Sequence, residues 1–270
     1  MTPRAVATDL DGTIVRSDGT ISARTRAALS AAEAAGALVV IVTGRPPRWL
    51  DGIADQTGHR GLAICANGAL VWDLHDERLV AAHPFQPEVV RDLAAQLRAA
   101  IPGLGFAVEA VDRGFAHEPD YRPRWTSDGD TVVAELETLL SAPVAKLLAR
   151  HEGMSADELL ARARDVVTED IASLTHSSRD GLLEISAAGI TKASALAQLC
   201  AEHDIGPAEV VAFGDMPNDL PMLAWAGQGI AVANAHSEVL RAVDEVAASN
   251  DDDGVAQVLE RWFAGSADQR

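Results

Sequence analysis

Asp9 and Asp11 stand one residue apart at the end of a short apolar run, Ala5-Val6-Ala7-Thr8, and lead into Gly12-Thr13. Carboxylates this close repel, and one takes up a proton unless a cation intervenes. A third acid, Asp215, follows a second such run, Val210-Val211-Ala212-Phe213-Gly214. Brought together, the three make an oxygen-rich set suited to Mg²⁺, a hard ion that keeps several waters and binds through a few carboxylates plus a substrate phosphate. Such an ion polarises phosphoryl oxygens and helps align an in-line attack. In that frame Asp9, with one oxygen on the metal, is expected to attack phosphorus and form an aspartyl-phosphate. Asp11, offset from the metal, protonates the leaving oxygen and later takes a proton from the hydrolytic water. Thr43 offers a hydroxyl, and Gly44, at an expected helix start, a backbone N–H. Lys192 supplies a compact positive charge worth about 4 kcal/mol against a phosphate oxygen across ~4 Å at an effective dielectric of about 20, before desolvation. Asp215 holds the metal, and Asn218 and Asp219 order waters or phosphate behind it.

These residues need a scaffold that collects them. Ala5–Thr8 reads as a buried strand that stops at a turn. Residues 22–36 carry an Ala-rich helical pattern, with Ser22 as N-cap and Gly36 as its stop. Ala37–Val42 is continuous and β-branched, as in a strand covered on both faces, and ends at Thr43-Gly44-Arg45. Leu62–Cys65 is another short strand, ending in Asn67-Gly68. The pattern returns with a helix over 191–203 and strands over 210–213 and 229–232. Strand, helix and strand at this spacing predict an α/β fold with a doubly wound, Rossmann-like parallel sheet. In such sheets ligands bind beyond the carboxyl ends of the strands, where all of these polar residues fall.

From about Pro84 to Glu184 the texture changes. Helices are expected over 87–100 and 155–167, and strands over 106–110, 144–149 and 182–186. This reads as an inserted α+β domain over 84–184, splitting the core into 1–83 and 185–270. The cluster Asn250-Asp251-Asp252-Asp253-Gly254 reads as a solvated turn.

Composition narrows the function classes. The chain has 270 residues, 48% hydrophobic and 23% charged, within ordinary globular usage. A formal net charge of −18 argues against affinity for nucleic acid or anionic membranes. It also requires the site to supply its own positive charge to any phosphate. Two cysteines, Cys65 and Cys200, are too few for a disulfide framework or a thiolate zinc site and suit a reducing cytoplasm. Asp9 interrupts the N-terminal segment before a signal-like stretch can form, and no run reaches the roughly 20 apolar residues of a membrane span. A soluble cytoplasmic protein is expected; oligomeric state is not legible.

Taken singly, each motif has a bland reading. Asp-Gly is foremost a turn dipeptide, and Lys192 alone is a solvated helix residue. Their convergence on one sheet edge gives the set its meaning. There is no Gly-x-Ser-x-Gly elbow and no nucleotide-binding loop ending in Gly-Lys-Ser/Thr. The eight histidines show no zinc spacing. His117, with Arg113, Arg122 and Arg124 around Tyr121, is either a substrate-facing patch or, more economically, a solvated loop.

Asp9-Leu10-Asp11-Gly12-Thr13, Thr43-Gly44-Arg45, Lys192 and Gly214-Asp215-Met216-Pro217-Asn218-Asp219 together resemble the four ordered motifs of the haloacid dehalogenase superfamily, and within it the Cof-type phosphatases. Asn67-Gly68-Ala69, Ala233-Asn234-Ala235 and Ser249-Asn250 extend the resemblance. Ala193 and Val232-Ala233 depart from the common Gly and Met-Gly, away from the catalytic groups. The resemblance implies Asp9 as nucleophile, Asp11 as acid/base, and Mg²⁺ on Asp9, the Asp11 carbonyl and Asp215. Thr43, Gly44, Lys192 and Asn218 would hold phosphate, and the insert would be a cap that selects substrates. The expected activity is hydrolysis of a small phosphorylated metabolite, such as a sugar phosphate or phosphorylated cofactor. The alternatives are a phosphosugar mutase of the same superfamily and a non-enzymatic phosphoaspartate switch.

Overall fold

The computed structural model describes residues 2–112, 114–124 and 131–263. Arg113 of the basic patch lies outside them. The N-terminal part of the chain forms β1 (Ala5–Thr8), α1 (Ala23–Ala34), β2 (Leu38–Val42), α2 (Asp51–Thr57), β3 (Leu62–Cys65), β4 (Leu70–Asp73) and β5 (Arg78–Ala82). Next come α3 (Pro87–Ala100), β6 (Gly105–Ala110), β7 (Gly114–His117), β8 (Val132–Val133), α4 (Leu136–Leu139), β9 (Val144–Arg150), α5 (Ala156–Arg164), β10 (Ala172–Thr175) and β11 (Leu182–Ala187). The chain closes with α6 (Lys192–Glu202), β12 (Val210–Gly214), α7 (Leu220–Trp225), β13 (Gln228–Val232), α8 (Ser237–Ala242), β14 (Glu245–Ala247) and α9 (Gly254–Phe263). Two compact units result, with boundaries after Ala81 and after Ile190. No helix among the described residues is long and apolar enough to cross a membrane.

The first unit is an α/β layer built on an eight-stranded sheet in the order β14-β13-β12-β1-β2-β3-β4-β5. From β14 to β3 all neighbours run parallel, and β4 turns back antiparallel on β3. All four residues of β1 are buried, which small and β-branched side chains allow when helices cover both faces. Ser22 caps α1 by accepting the Thr25 N–H, and α1 packs against α9. Because β1 sits between β2 and β12, with Thr8 level with both Ile41 and Phe213, the chain leaves three adjacent strands on one edge of the sheet. The connections from β1 to β2 and to β12 lie on opposite sides of β1, the arrangement at which open α/β sheets bind ligands.

The 250–254 segment is a turn, but it is not merely solvated. Asn250 is buried; its N–H donates to Asn234 Oδ1 and its Nδ2 to the Val15 carbonyl, both at 2.9 Å. Arg16 also reaches Asp253 at 2.7 Å. The turn therefore ties the C-terminal segment to the loop after β1.

The second unit is an inserted α+β domain with a six-stranded sheet in the order β10-β11-β9-β6-β7-β8. Its strands pair antiparallel except β7 with β8. One face takes up the apolar stripe of α3 (Val90, Leu93, Ala94, Leu97) and the equivalent residues of α5 (Leu159, Leu160, Ala163) against Phe106, Leu147 and Leu183. The opposite face carries Ala107, Phe115, Tyr121, Leu148 and Leu182 with a buried Lys146–Glu184 ion pair at 2.6 Å. His117 ends β7 and Tyr121 is buried beside it, so these two do not form the solvated loop expected from the sequence; Arg122 and Arg124 are exposed.

Leu97 has no solvent exposure within this core. Replacing it by Ala removes buried methyl groups and leaves a cavity, so Leu97→Ala is expected to cost about 2–5 kcal/mol in urea unfolding. A cost below about 1 kcal/mol would show that the core of this unit can collapse around the gap.

Candidate active site

The loop after β1 presents Asp9, whose backbone N–H is held by the Phe213 carbonyl of β12 at 3.0 Å. Its carboxylate is buried. Lys192, the first residue of α6, has no exposed surface and places Nζ 2.5 Å from Asp9 Oδ1 and 2.7 Å from Asp219 Oδ1. Thr191 orients that helix start: its side chain accepts the Ser194 N–H while the Ser194 hydroxyl accepts the Thr191 N–H, a reciprocal capping arrangement. The second oxygen of Asp219 accepts the N–H groups of Asp215 and Met216, each at 3.0 Å. Asp219 thus braces both the lysine and the loop that carries Asp215.

Asp215 is buried, and Thr13 donates to its Oδ1 at 3.2 Å. A side chain at position 12 would meet it: a Cβ on Gly12 would fall 2.4 Å from Asp215 Oδ2, and the backbone there has φ +78°. Glycine is required at that point of the Asp-x-Asp-Gly run on both counts. The carbonyl of Gly12 in turn accepts from Asn234 Nδ2 at 2.7 Å.

Charge is unevenly balanced. Carboxylate oxygens of Asp9, Asp215 and Asp219 all lie within 4.8 Å of one another, and the Lys192 ammonium faces Asp9 and Asp219. Burial pushes the Asp9 carboxyl well above its ordinary range; Lys192 opposes this and Asp219 and Asp215 reinforce it. The same desolvation, with Asp219 nearby, lifts Asp215 to about 7. For Lys192 burial acts downward, but Asp219 and Asp9 outweigh it and hold the ammonium charged above its usual range. An all-oxygen set with surplus negative charge fits a hard divalent cation.

Asp11 points elsewhere. Arg45 spans it, donating Nε to Oδ2 at 2.7 Å and Nη2 to Oδ1 at 2.5 Å, a bidentate pair that raises the guanidinium further. The Asp11 carboxylate is therefore outside the three-acid cluster, and Asp219 is inside it. Thr43 is buried at the end of β2, with its N–H on the Ile64 carbonyl at 2.8 Å and its hydroxyl oxygen accepting the Arg45 N–H at 3.1 Å. No helix begins at Gly44; the first helical turn is a short 3₁₀ segment, Pro47–Trp49, opened by the prolines. Asn218 is buried and donates Nδ2 to Asn67 Oδ1 at 3.0 Å.

Arg45, Thr13, Asn67 and Asn234 were not singled out from sequence as site residues. All four did stand inside the motifs that carry the family resemblance, a usable signal. Thr13 and Asn234 reach their partners across 202 and 222 positions of chain, which no spacing rule reveals.

The chain is 28% identical over 266 residues to a 5-amino-6-(5-phospho-D-ribitylamino)uracil phosphatase of Bacillus subtilis, covering 97% of this chain and 98% of that one. It is also 28% identical over 274 residues to the pyridoxal phosphate phosphatase of Escherichia coli, with 96% and 98% covered. A solved haloacid dehalogenase-like hydrolase from Bacteroides thetaiotaomicron superposes with a TM-score of 0.73 at 26% identity, covering 97% and 100%. With residues 6–259 matching the family model of the haloacid dehalogenase-like hydrolases, the chain belongs to that family of enzymes.

Proposed function

We propose that this hydrolase is a Mg²⁺-dependent phosphatase of small phosphomonoesters that works through an aspartyl-phosphate on Asp9. The observation that carries the reading is the clamp of Lys192 on Asp9 and Asp219. A carboxylate fixed by a buried ammonium has one oxygen oriented and the other available, which is the posture a nucleophile needs. Asp9 and Asp215 would hold the metal, with the Asp11 carbonyl as a further ligand. When bound, the ion neutralises surplus carboxylate charge and polarises phosphoryl oxygens.

The remaining chemistry belongs to the chain's own residues. The free Asp9 oxygen forms a bond to phosphorus as the bond to the leaving oxygen breaks, and Asp11 donates its proton to that oxygen. Water then attacks the phosphorylated Asp9, Asp11 accepts its proton, and inorganic phosphate leaves. Because Arg45 spans both Asp11 oxygens, one of these bonds must be released before Asp11 can serve the leaving group. Lys192, Thr43, the Gly44 N–H and Asn218 offset the charge of the transferring group. The inserted unit is read as the cap that selects the leaving group. The substrates for which the two relatives are named, a ribitylaminouracil phosphate and pyridoxal phosphate, head the candidate panel.

Asp9→Asn is expected to lower turnover of para-nitrophenyl phosphate at least about 1,000-fold, in keeping with loss of a covalent nucleophile. Full activity in that variant would refute the mechanism. Release of free phosphate with no isomerised sugar separates hydrolysis from phosphoryl transfer between sugars.

Metal binding can be read without turnover. Asp215 has a folded value near 7 against an ordinary 3.8, so the metal-free fold binds the extra proton. Its contribution to stability is present below about pH 4 and is lost as pH rises through about 7. A divalent ion compensates the ionised form, so Mg²⁺ should raise Tm more at pH 8 than at pH 5. Equal shifts at the two pH values would place the ion away from Asp215.

A further inference from the structure

Asn67 lies in the segment Ala66-Asn67-Gly68 after β3, a motif to which the phosphatase mechanism above gives no role. All three residues are buried and have positive φ, at 50°, 59° and 103°. Backbone in this region is disfavoured for side-chain-bearing residues and persists only where the surroundings hold it. Here three separate parts of the site hold it. The Ala66 N–H donates to the Arg45 carbonyl at 2.9 Å and the Asn67 N–H to the Thr43 carbonyl at 3.1 Å, which braces the loop after β2. Gly68 lies so close to the start of α6 that a Cβ would fall 2.2 Å from the Thr191 carbonyl oxygen, next to Lys192. The Asn67 side chain accepts from Asn218 Nδ2 at 3.0 Å. One strained turn therefore touches the segments carrying Thr43, Lys192 and Asn218.

We propose that Asn67 is a positioning residue that fixes the Asn218 carboxamide for the transferring phosphoryl group through the Asn67 Oδ1 contact. The inference rests on the phosphatase reading. A carboxamide has one free torsion at its end, and an acceptor on one N–H fixes its plane. The second Nδ2 hydrogen of Asn218 is then aimed before substrate arrives. Asn218 Oδ1, buried and without a hydrogen-bond partner among the described residues, is the other atom the fixed amide offers. Asparagine suits the position twice over: it tolerates the left-handed backbone better than most residues, and its side-chain oxygen supplies the acceptor.

Asn67→Gly separates these two properties, because glycine adopts φ +59° freely while the acceptor is lost. The test compares wild type, Asn67→Gly, Asn218→Ala and the double variant on para-nitrophenyl phosphate with Mg²⁺, with Asp9→Asn as reference. Asn67→Gly is expected to lower kcat about 10–100-fold, the range for partners that orient site ligands, with KM changed less than about twofold. Residues acting through one another are not additive, so the double variant should lose no more than Asn218→Ala alone. Wild-type kcat in Asn67→Gly, a double-variant loss equal to the product of the single losses, or a kcat loss accompanied by a clearly lowered Tm would each overturn the proposal. Any of these with an inactive Asp9→Asn leaves the phosphatase reading standing. An inactive wild type, or an active Asp9→Asn, overturns both.

Discussion

An ammonium with no exposed surface, held between two carboxylates, is an expensive arrangement that the rest of the first unit is organised to keep. Removing Lys192, Asp9 or Asp219 alone would strand buried charge, a far larger penalty than the pair itself contributes to stability. The three residues come from the end of β1, the start of α6 and the turn after β12. Their meeting point depends on the parallel pairing of β1 with β12 and on the cap at Thr191. The clamp is a constraint on the fold and, under the proposed mechanism, the device that orients the nucleophile.

Electrostatics follows from the same point. One lysine cannot neutralise three mutually close acids, and burial, reinforced by the neighbouring acids, raises the proton affinity of Asp9 and Asp215. Under the proposed mechanism a divalent cation makes up this difference, its two charges together with that of Lys192 matching the three acids. Under the same reading the cation and Lys192 would offer local positive charge to a phosphate in a chain whose net charge of −18 repels anions.

Glycine and asparagine do the fitting around this cluster. Gly12 allows the first loop to lie against Asp215, and Gly214 allows Asp219 to pack over the end of β12, where a Cβ would fall 2.5 Å from that side chain. Asn234, Asn250 and Asn67 then join loops far apart in sequence through side-chain amides, which can donate and accept at once. Backbone groups that leave the sheet thus find partners in a crowded edge.

Sequence alone determined the local terms. Continuous runs such as Leu38–Val42 and Val210–Phe213 announce buried parallel strands because both faces are covered, and Ser22 and Gly36 mark the ends of α1 because capping and left-handed geometry are local needs. The α3 stripe was legible for the same reason: its core-facing period lies within one helix. β4, β7, β10 and the helices α7 and α8 were not, since short elements with few apolar positions take their form from neighbours rather than from their own pattern. The polar residues at the strand ends could be named from sequence, together with the chemistry that such acids and a lysine support. Their partners could not. That Asp11 turns to Arg45, that Asp219 joins Asp9, and that Asn218 rests on Asn67 were decided by the tertiary structure, because these pairs are separated by 34, 210 and 151 residues, and only the register of the sheet brings such segments together.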